Sequence, residues 1–158
     1  MKPVPGPLPK DEFDRIFAKV PRLTVEVLIV AEQAGVLLAL RDVEPCLGTW
    51  NLAGGTVRFG EPLVDAVRRV ARDELGLSVW VGPLVGYIEY PSHYNNGLDS
   101  PVGLAFATDV VPGLPDPEEL PDGCGWFSRL PVGLYEEQRA FLVRRLGFGP
   151  SGPAPADQ

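Results

Sequence analysis

The stretch GGTVRFGEPLVDAVRRVARDELGL, Gly54 to Leu77, constrains the chain more than any other. Its glycines mark a turn, and Leu63–Leu75 then carries the clearest helical pattern in the sequence. Pro62 suits a first helical position and Gly76 the residue just past the end. At about 100° per residue, with Val70 set at 0°, Leu63 falls near +20°, Ala66 near −40°, Val67 near +60° and Leu77 (were the helix to reach it) near −20°. On that wheel Glu74 sits at about +40°, inside the apolar stripe, and Asp73 at about −60°, on its margin. Arg68 and Arg72 point nearly opposite.

A carboxylate set against apolar neighbours is costly unless an arginine, a backbone N–H or a cation pairs with it. Two adjacent acids at the C-terminal end of a helix also meet the unfavourable end of its dipole. Together these favour a divalent cation, and carboxylate oxygens suit magnesium or manganese. The alternative is that both acids are simply solvated at the edge of the stripe. The lead-in favours the ion, because Gly54 and Gly55 allow a carbonyl to come close to a bound cation or phosphate. Glu61 near the helix start can pair with Arg69 two turns later, a structural brace of loop against helix.

Around this stretch, the pattern DEFDRIFAKV spaces Phe13, Ile16, Phe17 and Val20 as a short amphipathic helix. LTVEVLIV reads as a strand, AEQAG as a turn and VLLALR as a second strand. A loop to Trp50 and a short extended piece, Asn51 to Ala53, lead into the glycine pair. SVWVGPLVGYIEY and PVGLAFATDVV read as strands flanking the loop PSHYNNGLDS, a short strand follows at Trp126 and Phe127, and LYEEQRAFLVRRLG is a last helix. This order predicts an α/β/α sandwich around a mixed sheet. Residues 10–148 are expected to form one domain, with residues 1–9 a flexible tail and 149–158 a disordered one, both Pro-rich.

The net charge of −7 argues against a general nucleic-acid binder, while leaving room for an anionic small molecule met by local arginines or a metal. No apolar run approaches the roughly 20 residues of a membrane span. The N-terminus lacks the apolar core of a signal peptide, so a cytoplasmic protein with no membrane partner is expected. Cys46 and Cys124 have no paired spacing and read as buried or incidental thiols.

The stretch resembles the Nudix box, G-x5-E-x7-REUxEExGU with U a bulky aliphatic. Gly55, Glu61, Arg69, Glu74, Gly76 and Leu77 match at the required spacings, Asp73 replaces the first acid of the E-E pair, and Ala71 stands in for U. The order of elements around the box is also that of the Nudix fold. Nudix hydrolases hold divalent ions on the box helix and a glycine carbonyl, and cleave a nucleoside diphosphate linked to another moiety. The resemblance therefore implies magnesium, or manganese, on Glu74 and the carbonyl of Gly54, with Asp73 direct or one shell out.

Val70 departs from the pattern, which has a glutamate there. Valine neither binds a further ion nor orients water, so fewer ions and a base from outside the helix are expected. The GDP-mannose mannosyl hydrolases of the family also lack that glutamate; they attack the sugar's anomeric carbon with one magnesium and release GDP. The helix ahead of the first strand resembles theirs, and Arg41 stands where they place an arginine on the diphosphate. That subgroup has an arginine after its glycine pair and a Gln-His pair before its last strand. Here Thr56 occupies the first position, with Arg58 close enough to reach phosphates, and LPDGCGWF replaces the second, leaving Asp122 as the local candidate for ligand or base with Glu118 and Glu119 behind it.

His93 is a further catalytic candidate, although a lone loop histidine is commonly a solvated surface residue. Tyr90, His93, Tyr94 and Asn95 can read a base or sugar by stacking and hydrogen bonds. Trp50 and Trp126 favour core packing, with base stacking open to Trp50. The expected function is hydrolysis of a nucleoside diphosphate-linked compound, a nucleotide sugar favoured, by a possible homodimer. Attack at phosphorus on another nucleoside diphosphate derivative, or a nucleotide-binding sensor that has lost turnover through Val70, are the alternatives.

Overall fold

The computed structural model describes residues 5–149. In chain order the elements are α1 (Lys10–Phe17), β1 (Arg22–Leu28), β2 (Val30–Ala31), β3 (Gly35–Leu40), β4 (Trp50–Asn51), β5 (Ala53–Thr56), α2 (Leu63–Leu75), β6 (Ser78–Glu89), α3 (Pro91–Asn95), β7 (Pro101–Val111), β8 (Cys124–Phe127) and α4 (Glu136–Leu146), with a 3-10 turn at Pro117–Glu119. The fold is mixed α/β, a mixed sheet flanked by helices. Its strands run β5-β1-β7-β6, with β1 antiparallel to β5 and parallel to β7. A second sheet, not anticipated from the sequence, gathers β2, β4 and β8 antiparallel against β3.

Strand alternation assigns the two faces of the mixed sheet. Val25 and Val27 of β1 join Ala66, Val67, Val70, Ala71 and Leu75 of α2 and Phe106 of β7 in one core. Leu28 joins Leu52, Ile88, Leu134, Phe141 and Leu142 in the other, beneath α4. Each branched aliphatic side chain buried this way contributes roughly 1.5–3 kcal/mol. Thr24 and Glu26 share the face of Leu28, and both are buried, so the second core carries a polar insertion in the middle of β1.

α2 has the bounds read from its pattern, and Gly76 closes it with φ 65°, its N–H bonding to Arg72 O while Leu77 N–H reaches Ala71 O. Pro62 is the cap residue, in extended conformation, one position ahead of the first turn. Ala71 and Leu75 are more buried than Leu63 or Leu77, so the buried face centres near +50° on the wheel rather than near Val70. Asp73 then lies about 110° away and is exposed, whereas Glu74 points along the buried face at the end where that face runs out.

α1 stops at Phe17, short of Val20, and buries no residue; Phe13 and Phe17 pack on each other with ring centroids 4.7 Å apart. The segment after β6, expected as plain loop, holds the single turn α3. Residues 5–8 share a groove with Phe13, Ile16, Phe17 and Phe59. The rest of the expected tails, residues 1–4 and 150–158, lies outside the described residues. Cys46 and Cys124 are free and partly buried. Among the described residues no helix is long and apolar enough to cross a membrane.

Candidate functional site

The turn from β5 into α2 is held by one acid. Glu61 takes two hydrogen bonds from Arg69, Nε to Oε1 at 2.7 Å and Nη2 to Oε2 at 2.9 Å, and a third from Arg58 N–H at 2.9 Å. Arg69 also donates to the carbonyl of Thr56 at 2.9 Å, tying the last residue of β5 to the middle of the helix. These bonds, led by those from Arg69, hold the Glu61 carboxyl below its usual range.

β5 is an edge strand, and its even-numbered residues turn their main-chain groups away from β1. Leu52 N–H donates to Gln138 Oε1 at 2.7 Å, Gly54 N–H to Glu74 Oε2 at 3.3 Å, and Thr56 C=O accepts from Arg69. N–H and C=O of one strand residue face the same edge, so the carbonyl of Gly54 opens on the side of Glu74. Gly55 faces α2, where a Cβ would stand 2.9 Å from Val70 Cγ2. Val70 is 2% exposed and fills that space with hydrocarbon.

On the other side of Gly54 lies Glu26, which the sequence reading passed over. It pairs with Gly54 across the β1–β5 ladder, and a Cβ on Gly54 would come within 2.2 Å of its Oε2. Gly103 on β7 leaves matching room, with Glu26 Oε1 only 2.4 Å from the place of its missing Cβ. Tyr90 Oη donates to Glu26 Oε1 at 2.8 Å, and Gln138 Nε2 donates to Tyr90 Oη at 2.9 Å. Thr24 Oγ1 completes the shell at 3.4 Å.

Two carboxyls thus flank one glycine, and both hold protons unusually well. Burial pushes Glu26 up to about 8 against the pull of Tyr90, Thr24 and Arg22, and the nearby Glu74 adds to the rise. Glu74 is exposed as a residue, yet its carboxyl is walled by protein and loses enough water to rise to about 7. The Gly54 N–H and the charge of Arg41 oppose that rise, while Asp73 and Asp42 add to it. A cation between them and the Gly54 carbonyl would relieve the charge that this environment resists.

Glu26, Gly54, Gly55, Arg41, Tyr90, His93 and Gln138 line an inner cleft of about 80 Å³. It shares Arg22, Arg41, Gly54, Gly55 and His93 with an outer pocket of about 540 Å³, whose far wall is Lys10, Phe13 and Phe17 of α1. The inner space suits a single small group. The outer one is in the range that holds a nucleotide-sized ligand.

Of the other residues singled out in the sequence, all but His93 fall outside both spaces. Asp73 is exposed, its carboxyl 3.7 Å from Arg72. Asp122 is exposed in the turn before β8, and Tyr94 and Asn95 are exposed on α3. Trp50 packs edge-on against Phe127 at 4.7 Å, next to the core beneath α4. Arg58 lines the apolar groove beside Phe59. His93 is no solvated loop residue: its side chain is 12% exposed.

Among the described residues no three His, Cys, Asp or Glu side chains are grouped to hold a metal alone. The donor set still fits a hard cation of the magnesium kind. Such an ion accepts one or two carboxylates and completes its shell with carbonyl, water and substrate phosphate. Glu74 and the Gly54 carbonyl offer those oxygens.

The sequence pattern of the NUDIX domain matches residues 20–146, and the chain belongs to that family. It is 41% identical over 106 residues to the low-salt glycan biosynthesis protein Agl8 of Haloferax volcanii, a match covering 66% of this chain and 67% of that one. Its fold is similar to the MutT NUDIX hydrolase of Burkholderia pseudomallei, with a TM-score of 0.62 and 26% identity over 80% of this chain and 98% of that one. The ORF135 protein of E. coli is similar at a TM-score of 0.59 and 25% identity, over 87% and 95% of the two chains.

Proposed function

We propose that this chain is a magnesium-dependent hydrolase of nucleoside diphosphate-linked compounds, with a nucleotide sugar as the favoured substrate. The observation that carries the reading is the Gly54 main chain, which bonds Glu74 and lines one cleft together with Glu26 and Arg41. Glu74 and the Gly54 carbonyl would hold the cation, with manganese as a substitute and Asp73 acting at most through water. When bound, that cation supplies charge neutralisation on the diphosphate. Arg41 adds a fixed positive charge beside the same oxygens, which favours departure of an intact nucleoside diphosphate.

The inner cleft supports a hydroxyl-bearing group as the other half of the substrate. Glu26, uncharged at neutral pH, can donate a hydrogen bond as well as accept one, and Asn51, Tyr90 and Gln138 add further polar groups. The outer pocket has room for the nucleoside. The name of the Haloferax relative, a glycan biosynthesis protein, supports a sugar-linked substrate. Val70 supports attack at carbon, because α2 offers no acid there to activate water at phosphorus.

A panel of nucleotide sugars and other nucleoside diphosphate derivatives, assayed with magnesium in ¹⁸O-labelled water, tests this. Diphosphate product with label on the sugar is expected; label on phosphate makes the chain a phosphorus-attacking enzyme. Tight binding without metal-dependent turnover would make it a sensor. Glu74→Gln is expected to lower kcat by about 100-fold or more, and an unimpaired variant would remove the metal assignment.

A further inference from the structure

A hydrolase with Val70 in its helix needs a proton acceptor from elsewhere, and one imidazole stands at the cleft with its orientation fixed. His93 is the single histidine of the chain. Its ring makes a triangle with those of Tyr90 and Tyr135, whose centroids lie 5.6 Å and 5.5 Å from it and 6.1 Å from each other. Nδ1 lies 3.2 Å from Asp99 Oδ1, and the second oxygen of Asp99 accepts from Arg22 Nε at 2.5 Å. Arg22 also donates to Thr56 Oγ1 at 2.9 Å and lies over the Phe13 ring at 5.5 Å. The side chains of His93, Asp99 and Arg22 are all under one-fifth exposed. Nε2 makes no hydrogen bond among the described residues, and the ring lines the cleft shared with Arg41 and Gly54.

Burial tends to raise the Asp99 carboxyl, yet the hydrogen bonds of His93 and Arg22 and the arginine's charge bring it down to about 2. Asp99 is therefore an anion at any ordinary working pH. An anion can only accept, so Nδ1 presents a proton to Asp99, and in the neutral ring the lone pair is then at Nε2.

Resting on the hydrolase reading above, we propose that His93 is the general base and that Asp99, braced by Arg22, is its positioning residue. Nε2 takes a proton from water as the water oxygen bonds to the electrophilic centre. The bond from that centre to the bridging oxygen breaks, and its electron pair leaves on the diphosphate. Asp99 balances the positive charge then carried by the imidazole. The other ionisable groups around the ring are Tyr90 and Tyr135, which also touch each other, Arg22 from β1 and Glu137 from α4.

Two measurements on the full chain test the assignment. In ¹⁵N NMR the one histidine gives a single pair of ring nitrogens. The Nδ1–H tautomer is expected in the wild type and a mixture in Asp99→Asn; a wild-type Nε2–H tautomer overturns the pairing whether or not the protein is active. In turnover assays His93→Gln is expected to lower kcat by about 100-fold or more with little change in KM. Its activity should recover as pH rises and hydroxide replaces the base. Asp99→Asn should lower kcat by a smaller factor, also sparing KM. Wild-type kcat in a His93→Gln protein that melts like the wild type would remove His93 as the base. A wild type inert on the whole panel would instead count against the hydrolase reading, with the NMR result still deciding the pairing.

Discussion

Replacing Glu26 by glutamine isolates the cost of burying one carboxyl in the second core. The amide oxygen can still accept the Tyr90 hydroxyl, now 2.8 Å from Glu26 Oε1, so the change is chiefly one of titration. The carboxyl's ordinary value is 4.5 and its folded value about 8. Between those limits the unfolded chain has released a proton that the native protein keeps. The unfolded state binds fewer protons, so stability is highest below about 4.5 and declines as pH rises toward 8. At about 1.4 kcal/mol per pH unit across that window, the decline amounts to roughly 5 kcal/mol. That is a large part of the 5–15 kcal/mol typical of a folded domain. Urea unfolding at pH 5 and pH 9, in EDTA to keep metal off the cleft, measures it. The wild type should lose several kcal/mol on going from pH 5 to pH 9, and Glu26→Gln should lose about 4 kcal/mol less, since part of the window lies below pH 5. Parallel pH dependences for the two proteins would refute the reasoning.

The remaining expectations are of opposite sign or at neighbouring positions. Glu61→Gln should lower stability at pH 7 by about 2–3 kcal/mol, read from the urea midpoint, because the carboxylate accepts three hydrogen bonds. Since Glu61 titrates below its ordinary 4.5 in the fold, its contribution is present above that value and fades as pH falls, the reverse of Glu26. Val70→Glu should cost the metal-free protein about 3 kcal/mol by burying a charge against Gly55. Magnesium should restore part of that loss in a thermal melt if the new carboxylate finds the ion.

α2 was legible because its signals are local: an apolar period and a glycine at the end. The polar half of the cleft was not. Glu26 sits in the run LTVEVLIV, where a single acid between β-branched residues reads as the solvent-facing member of a strand. Its burial depends on β5 and β7 lying on both sides of β1 and on Gly54 and Gly103 leaving it room, none of which is local information. One signal was present, since Thr24 and Glu26 alternate with Val25 and Val27 and mark a polar face on a strand expected in the core. The burial of His93 was hidden for the same reason. Asp99 and Arg22, which draw it inward, are respectively six residues further on and on the first strand.

The Glu61–Arg69 clamp also bears on how this chain tolerates change. It fixes both ends of the connection between β5 and α2, at Thr56 and Glu61, and from the residues between it draws only on the Arg58 main chain. Phe59 in that span is 89% exposed, whereas Gly60, at φ 76°, holds a left-handed backbone that a side chain would strain. Position 59 is therefore a place where sequence can drift, or be engineered, while Gly54 and Glu74 keep their separation. Its content is free to follow the needs of whatever binds the outer surface, and the spacing of the cleft is insulated from that variation.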